Sequence, residues 1–206
     1  MRTQSKTTQA ELTPAKALQI LKDGNHRFVN NLKSNRNLLQ QVNETSEGQF
    51  PFAVVLSCID SRTSAELIFD QGLGDVFSVR IAGNFCNEDI LGSMEFACKI
   101  AGAKLVLVLG HTKCGAIKGA CDDAKLGNLT ALIAKIRPAV HAVPGNGDRT
   151  SANAEFVEKV AEKNVKLTMD RILKESPVLK EMIDKGETGL AGGIYNVDDG
   201  EVTFFE

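Results

Sequence analysis

The sequence predicts an α/β fold in which a mostly parallel central β-sheet is flanked by helices. Short apolar segments of strand length alternate along the chain with longer segments of helical periodicity. One of these strands, 104–109, is an unbroken apolar run after its first residue, as expected for a strand buried on both faces. The last strands flank Asp198-Asp199-Gly200, which predicts a hairpin and hence an antiparallel C-terminal edge strand.

The first predicted element is an N-terminal helix. Thr13 is a good N-cap and Pro14 suits the first helical position, and apolar residues recur at helical spacing as far as Leu32. Gly24 interrupts this pattern, so the segment forms either one bent helix or two helices. Its apolar stripe packs either on the sheet or on a second subunit, and the pattern does not decide between them.

The remaining elements follow in alternating order. Residues 34–50 are polar and predict a loop, and glycines or prolines close most of the later segments. The predicted strands are 52–58, 75–81, 104–109, 190–197 and 201–205, and the predicted helices are 64–71, 90–101, 115–125, 129–140, 152–175 and 177–185.

Length and composition fit one ordinary globular domain. The chain has 206 residues, of which 43% are apolar and 24% charged, and it contains no linker, repeat or low-complexity tract. We therefore predict a single domain over 1–206, with about 1–34 as an N-terminal helical arm.

Charge and hydropathy exclude several classes of partner. The net charge of −2 gives no reason to expect nucleic acid or an anionic membrane as a partner. No apolar run approaches the ~20 residues that a membrane-spanning helix needs. Residues 1–9 are polar and lack the apolar core of a secretory signal, so we expect a cytoplasmic protein.

Metal-binding residue types follow two of the predicted strands. Cys58 and Asp60 come at the end of the first strand, and His111 and Cys114 follow the third. If these strands are parallel neighbours, all four side chains emerge at the carboxyl edge, where open α/β sheets bind ligands. Two thiolates and an imidazole supply three of the four positions around zinc and leave one for water. We predict a catalytic metal site.

Asp60 has two alternative roles in such a site. Its carboxylate could occupy the fourth zinc position and close the site, or it could accept a hydrogen bond from bound water. Arg62 favours the second role if its guanidinium clamps the carboxylate bidentately, which would also keep Asp60 ionised.

The other three cysteines are expected to be structural. The chain has five cysteines, an odd number, and nothing in the sequence indicates secretion, so a disulfide framework is not expected. Cys98 lies among helix formers, and Cys86 and Cys121 have no partner at metal-ligand spacing.

Five segments together resemble the β-class carbonic anhydrases. Cys-x-Asp-x-Arg at 58–62 and His-x-x-Cys at 111–114 match the family's metal motifs. Gly-Asn-His-Arg-Phe at 24–28, Val-Arg-Ile-Ala-Gly-Asn at 79–84 and Gly-Ser-Met-Glu-Phe-Ala at 92–97 resemble its flanking motifs. The resemblance extends from about residue 15 to the last strand.

This resemblance implies a zinc enzyme. Zinc (Zn²⁺) would be held by Cys58, His111 and Cys114 beside the Asp60–Arg62 pair, and zinc-bound hydroxide would convert CO2 reversibly to bicarbonate and a proton. The family forms homodimers, often paired into tetramers, with N-terminal helices wrapping the partner and burying their apolar stripe there.

The resemblance also implies substrate contacts. Gln49 would orient substrate across the dimer interface, Phe77, Ala82 and Phe96 would line a small apolar pocket, and the backbone N–H of Gly115 would orient bound substrate.

Two departures from the family pattern bear on regulation. Val55 stands where one branch has a tryptophan used in an inhibitory bicarbonate pocket, and the chain has no tryptophan, which predicts the open-site branch. Phe96 replaces a common tyrosine and so lacks its hydroxyl. Two alternative functions remain at this point: the same zinc site acting on a CO2 analogue, and a structural or regulatory zinc module closed by Asp60.

Overall fold

A five-stranded sheet forms the centre of the molecule. In this computed structural model, which describes residues 2–205, the strand order is β2-β1-β3-β4-β5. The first four strands are parallel, and β5 is antiparallel to β4, so the predicted fold class is confirmed. The strands are β1 (Ala53–Ser57), β2 (Val76–Arg80), β3 (Leu105–His111), β4 (Gly189–Tyr195) and β5 (Val202–Phe205).

Helices connect the strands and cover both faces of the sheet. They are α1 (Lys6–Ala10), α2 (Pro14–Val29), α3 (Leu38–Glu44), α4 (Ala65–Ile68), α5 (Glu88–Glu95), α6 (Gly115–Cys121), α7 (Gly127–Ala134), α8 (Arg137–Ala142), α9 (Ala154–Glu175) and α10 (Pro177–Asp184). A π-helical turn, Phe96–Ile100, continues α5.

The two central strands are buried on both faces, as their apolar sequences predict. Every residue of β1 and of β3 is buried. Alternate residues of these strands join two cores, because successive side chains of a strand point to opposite faces. Leu21 of α2 belongs to the core on one face, and Met94 of α5 and Val165 of α9 belong to the core on the other.

The N-terminal helix is continuous and packs on the chain's own sheet. Gly24 lies inside α2 because the helix passes very close to the loop after α4: a Cβ at this position would lie 1.8 Å from the Phe69 carbonyl oxygen. Ala17 and Leu21 are fully buried against the sheet. Leu18 and Phe28 are half-buried against the same core, whereas Val29 (39%) and Leu32 (60%) are exposed. Packing on the sheet is therefore the alternative observed for Leu21, and the expectation that the N-terminal helices wrap a partner stays a prediction.

Some local elements differ from the prediction. The predicted loop 34–50 contains α3, capped by Asn37, with apolar residues that face solvent, so apolar periodicity toward a core could not reveal it. The predicted helix 129–140 is two helices, α7 and α8. Pro138 lies in the first turn of α8, where its missing N–H is tolerated, and it could not continue a preceding helix.

None of the helices described here has both the length and the apolar character needed to cross a membrane.

Candidate metal centre

Parallel pairing of β1 and β3 brings the predicted ligands to one edge. Ser57 lies opposite Leu109 in the register, so Cys58 follows β1 close to the point where β3 ends at His111. Cys114 follows three residues later as the N-cap residue of α6. All three side chains are buried.

The three side chains form a group that fits one metal ion. Their ligand atoms lie within 4.8 Å of one another. The two sulfur atoms are 4.0 Å apart, close to the ~3.8 Å that two zinc–sulfur bonds at a tetrahedral angle require. Among residues 2–205, no other group of this kind occurs.

His111 is oriented as a metal ligand. Its Nδ1 lies 2.9 Å from the carbonyl oxygen of Thr112, which fixes the tautomer with the proton on Nδ1. Its Nε2 is buried and has no hydrogen-bond partner. A buried polar atom without a partner is costly, and a metal ion at this position would satisfy it.

The thiol pair is prepared for ionisation at Cys58. A hydrogen bond from the Cys114 thiol lowers the pKa of Cys58 below its ordinary value, and the same contact together with burial raises the pKa of Cys114. The backbone N–H of Gly83 also donates to the Cys58 sulfur, at 3.4 Å. A thiolate is the metal-binding form of cysteine, and both hydrogen bonds to the Cys58 sulfur favour that form.

Asp60 is paired with Arg62, as predicted. Nε and Nη2 of Arg62 donate to the two carboxylate oxygens at 2.9 and 2.8 Å, and the Arg62 backbone N–H donates at 3.0 Å. These bonds hold the pKa of Asp60 well below its usual range. The carboxylate is therefore ionised, and both of its oxygens are engaged by the arginine.

The loop that carries Cys58 and Asp60 is braced by two residues that the sequence reasoning did not single out. Arg80, the last residue of β2, donates to the backbone carbonyls of Cys58 at 3.0 Å and of Asp60 at 2.6 Å. The buried hydroxyl of Thr63 lies within hydrogen-bond distance of the same two carbonyls, at 3.0 and 2.8 Å, and shares its one proton between them. Arg80 could have been found, because it belongs to the 79–84 motif, but nothing local marks Thr63.

Ala82 and Gly115 lie beside the centre. Ala82 directly precedes Gly83, whose N–H contacts the Cys58 sulfur. Gly115 directly follows Cys114, is exposed, and has no atom within 4 Å of the place that a Cβ would occupy. The space next to its backbone is therefore open.

The other predicted substrate residues lie elsewhere on this chain. Phe77 and Phe96 stack edge to face, with ring centroids 6.4 Å apart, in a groove of about 760 Å³ outside β2. Gln49 is exposed and lines a different groove beside Leu73. Neither groove includes a residue of the metal group. The expectation for Gln49 concerns a second chain, so it stays a prediction.

The remaining cysteines are free and lie outside the metal group. Cys86 and Cys98 are buried, Cys121 is partly buried, and burial raises the pKa of each to about 11. As predicted for structural cysteines, these thiols stay protonated at neutral pH.

Fold and centre together define an α/β protein with three residues able to hold a metal ion at the carboxyl edge of a parallel sheet. The sequence model of the carbonic anhydrase family matches residues 53–202. Carbonic anhydrase 2 of Mycobacterium tuberculosis is 36% identical over 91% of this chain and 90% of its own length. A carbonic anhydrase of Mycolicibacterium smegmatis is 33% identical over 92% of each chain.

Solved structures agree with these sequence relatives. The β-carbonic anhydrase CafA of Aspergillus fumigatus superposes with a TM-score of 0.71 at 25% identity, over 93% of this chain and 90% of that one. A tetrameric β-carbonic anhydrase of Sordaria macrospora shares the fold with a TM-score of 0.69, at 22% identity, over 79% of this chain and 84% of its own. The present chain belongs to the β-carbonic anhydrase family.

Proposed function

We propose that this protein catalyses the reversible hydration of CO2 to bicarbonate and a proton, with zinc held by Cys58, His111 and Cys114. The observation that carries the proposal is the group of three buried ligand atoms within 4.8 Å, one of them an imidazole nitrogen without any other partner. The ligand types, two sulfurs and one nitrogen, are those that zinc prefers and leave a fourth position.

Bound zinc would supply a Lewis acid that lowers the pKa of water toward ~7. Asp60 would orient water there by accepting a hydrogen bond on a lone pair that Arg62 leaves free, since each carboxylate oxygen can accept more than one. Because Arg62 keeps the pKa of Asp60 low, the carboxylate is a weak base, and it aligns the water without taking the proton away. The same pairing occupies both carboxylate oxygens and so favours an open centre over a structural zinc module closed by Asp60.

Substrate contacts extend this proposal. Gly115 directly follows Cys114, and the space beside its Cα is open, so we propose that its backbone N–H orients bicarbonate or CO2. Ala82 contributes an apolar surface next to the centre. Gln49, Phe77 and Phe96 lie away from the metal group of their own chain and would serve a site shared with a second subunit.

Self-association as a homodimer, and as a pair of dimers, is part of the proposal. The outer edge of β2 pairs with no strand among the described residues. Phe96, which contacts Phe77 of β2, is 53% exposed, and Ile100, at the end of the same π-helical turn, is 73% exposed. Such a surface is typical of an interface. The five free cysteines fit a reducing compartment, which supports a cytoplasmic location.

Metal content and CO2 hydration test the proposed function together. Purified protein should bind one zinc per chain and accelerate CO2 hydration in a stopped-flow pH-indicator assay, and chelation should abolish the acceleration until zinc is restored. Cys114→Ala should lose zinc and activity, whereas Cys121→Ala, a matched cysteine outside the centre, should retain both. A zinc-loaded protein that accelerates only the turnover of a CO2 analogue such as carbon disulfide would contradict the substrate assignment.

A further inference from the structure

The turn between the two ligands after β3 has an unusual backbone. Lys113 lies between His111 and Cys114 and has φ of 57°, in the left-handed region that side chains with a Cβ rarely adopt. Short polar side chains tolerate this region best. Lys113 is the exception among the described non-glycine residues with positive φ, the others being Asn31, Asp70, Asn84 and Asp123.

A carboxylate from α9 holds this backbone. The N–H of Lys113 donates to Oε1 of Glu158 at 2.9 Å. A hydrogen bond from a backbone N–H to an ionised carboxylate is stronger than one between neutral groups. Glu158 therefore stabilises the peptide group whose orientation carries the chain from His111 to Cys114.

The other side of the turn is tied to β4 and the β4–β5 hairpin. The N–H of Thr112 donates to the carbonyl oxygen of Tyr195, and the N–H of Val197 donates to the Thr112 hydroxyl. Lys113 also pairs with Asp198 at 2.5 Å. Both side chains of that pair are more than half exposed, so solvent screens it and it adds little rigidity. The hydrogen bond from the Lys113 N–H to Glu158 connects the turn to α9.

We propose that Glu158 is a positioning residue of the metal centre: by bonding the N–H of Lys113, it maintains the left-handed turn that brings His111 and Cys114 to one ion. This inference rests on the proposed function, since it assigns the two residues as ligands. Residues that orient metal ligands typically contribute about 10- to 100-fold to metal affinity.

Zinc affinity, measured by chelator competition on the full-length protein, tests this role. Glu158→Ala should weaken zinc binding about 10-fold. Glu158→Gln keeps an acceptor at the same length and should stay within about 3-fold of the parent. Glu162→Ala is the matched control, because it removes an exposed carboxylate one turn further along α9, and it should leave the affinity unchanged.

A second background tests whether Glu158 acts through the turn. Glycine adopts φ near +57° without steric cost, so a Lys113→Gly protein needs less support there. Glu158→Ala should then cost at most about 3-fold in zinc affinity when measured against Lys113→Gly alone. Asp198→Asn, which weakens the exposed ion pair and leaves the backbone contact intact, should have no more than about a 2-fold effect.

Two results would overturn the inference: zinc affinity of Glu158→Ala within 2-fold of the parent, or the same loss in the parent and the Lys113→Gly backgrounds. Loss of thermal stability in metal-free Glu158→Ala without a change in zinc affinity would assign Glu158 to general stability instead. Failure of the parent protein to bind zinc would refute the proposed function itself, and the parent measurement therefore separates the two.

Discussion

Replacing Arg80 should damage the metal centre although this side chain touches none of the three ligand atoms. Its guanidinium donates to the backbone carbonyls of Cys58 (3.0 Å) and Asp60 (2.6 Å) and lies 3.4 Å from the Thr63 hydroxyl. Hydrogen bonds from a charged donor contribute about 1.5 kcal/mol or more each. Because Arg80 is exposed, solvent weakens these hydrogen bonds, and we take about 2 kcal/mol for all of them together. Their loss would lower the population of the correctly placed loop about 30-fold.

The expected result for Arg80→Ala is therefore a loss of about 10- to 30-fold in both zinc affinity and kcat/KM for CO2 hydration. Arg80→Lys keeps the charge but cannot span two carbonyls with a planar fork, so it should fall between Arg80→Ala and the parent. Chelator competition and stopped-flow hydration measure the two quantities on the same preparations. An Arg80→Ala protein that keeps more than half of both would refute the reasoning.

Four further predictions follow from the structure. Because the pKa of Asp60 is held low by Arg62, Asp60→Asn should lower the rate of CO2 hydration about 10-fold or more across about pH 5–9. It should not remove any inflection from the pH–rate profile in that range, and loss of one would contradict an Asp60 that is ionised throughout. By the same linkage, the pair's contribution to stability is present above the ordinary aspartate pKa of about 3.9 and is lost as the pH falls toward the lower folded-state pKa, which urea unfolding as a function of pH measures. Asn25→Leu removes three buried hydrogen bonds to backbone groups and should lower the free energy of unfolding by about 2–4 kcal/mol. A decrease below about 1 kcal/mol would contradict the stabilising role assigned to these bonds. Gly83 has φ of 77°, and a Cβ at this position would lie 2.4 Å from Cδ1 of Ile136. Gly83→Ala should therefore displace the N–H that bonds the Cys58 sulfur and weaken zinc binding about 10-fold. Unchanged affinity would show that this N–H is dispensable.

Much of the fold could be predicted from the sequence because buried strands and helices show a regular spacing of apolar residues. The apolar runs that became β1 and β3 are buried throughout, and the long stripe of 152–175 became α9 within two residues of its predicted start. The helix α3 was missed for the complementary reason: its apolar side chains face solvent, so its sequence carries no pattern directed toward a core.

The candidate site, like the fold, contains residues that the sequence indicates and others that it does not. Cys58, Asp60, Arg62, His111 and Cys114 could be singled out because each lies at a strand end in a short motif whose chemistry is recognisable. Glu158 and Thr63 could not, because each acts on a backbone group of a different element or turn. A carboxylate on an amphipathic helix and a threonine in a loop look like ordinary polar surface residues.

By itself, the sequence determined which strands would be buried, which edge of the sheet would carry the metal-binding residues, and which side chains could bind a cation. Only the tertiary structure decided that the two sulfurs lie 4.0 Å apart, that Arg80 of β2 bonds the backbone of the loop after β1, and that α9 supports the turn between His111 and Cys114. The physical reason is that burial and local conformation depend on the order of neighbouring residues, whereas distances between atoms far apart in the chain depend on how the whole sheet and its helices pack.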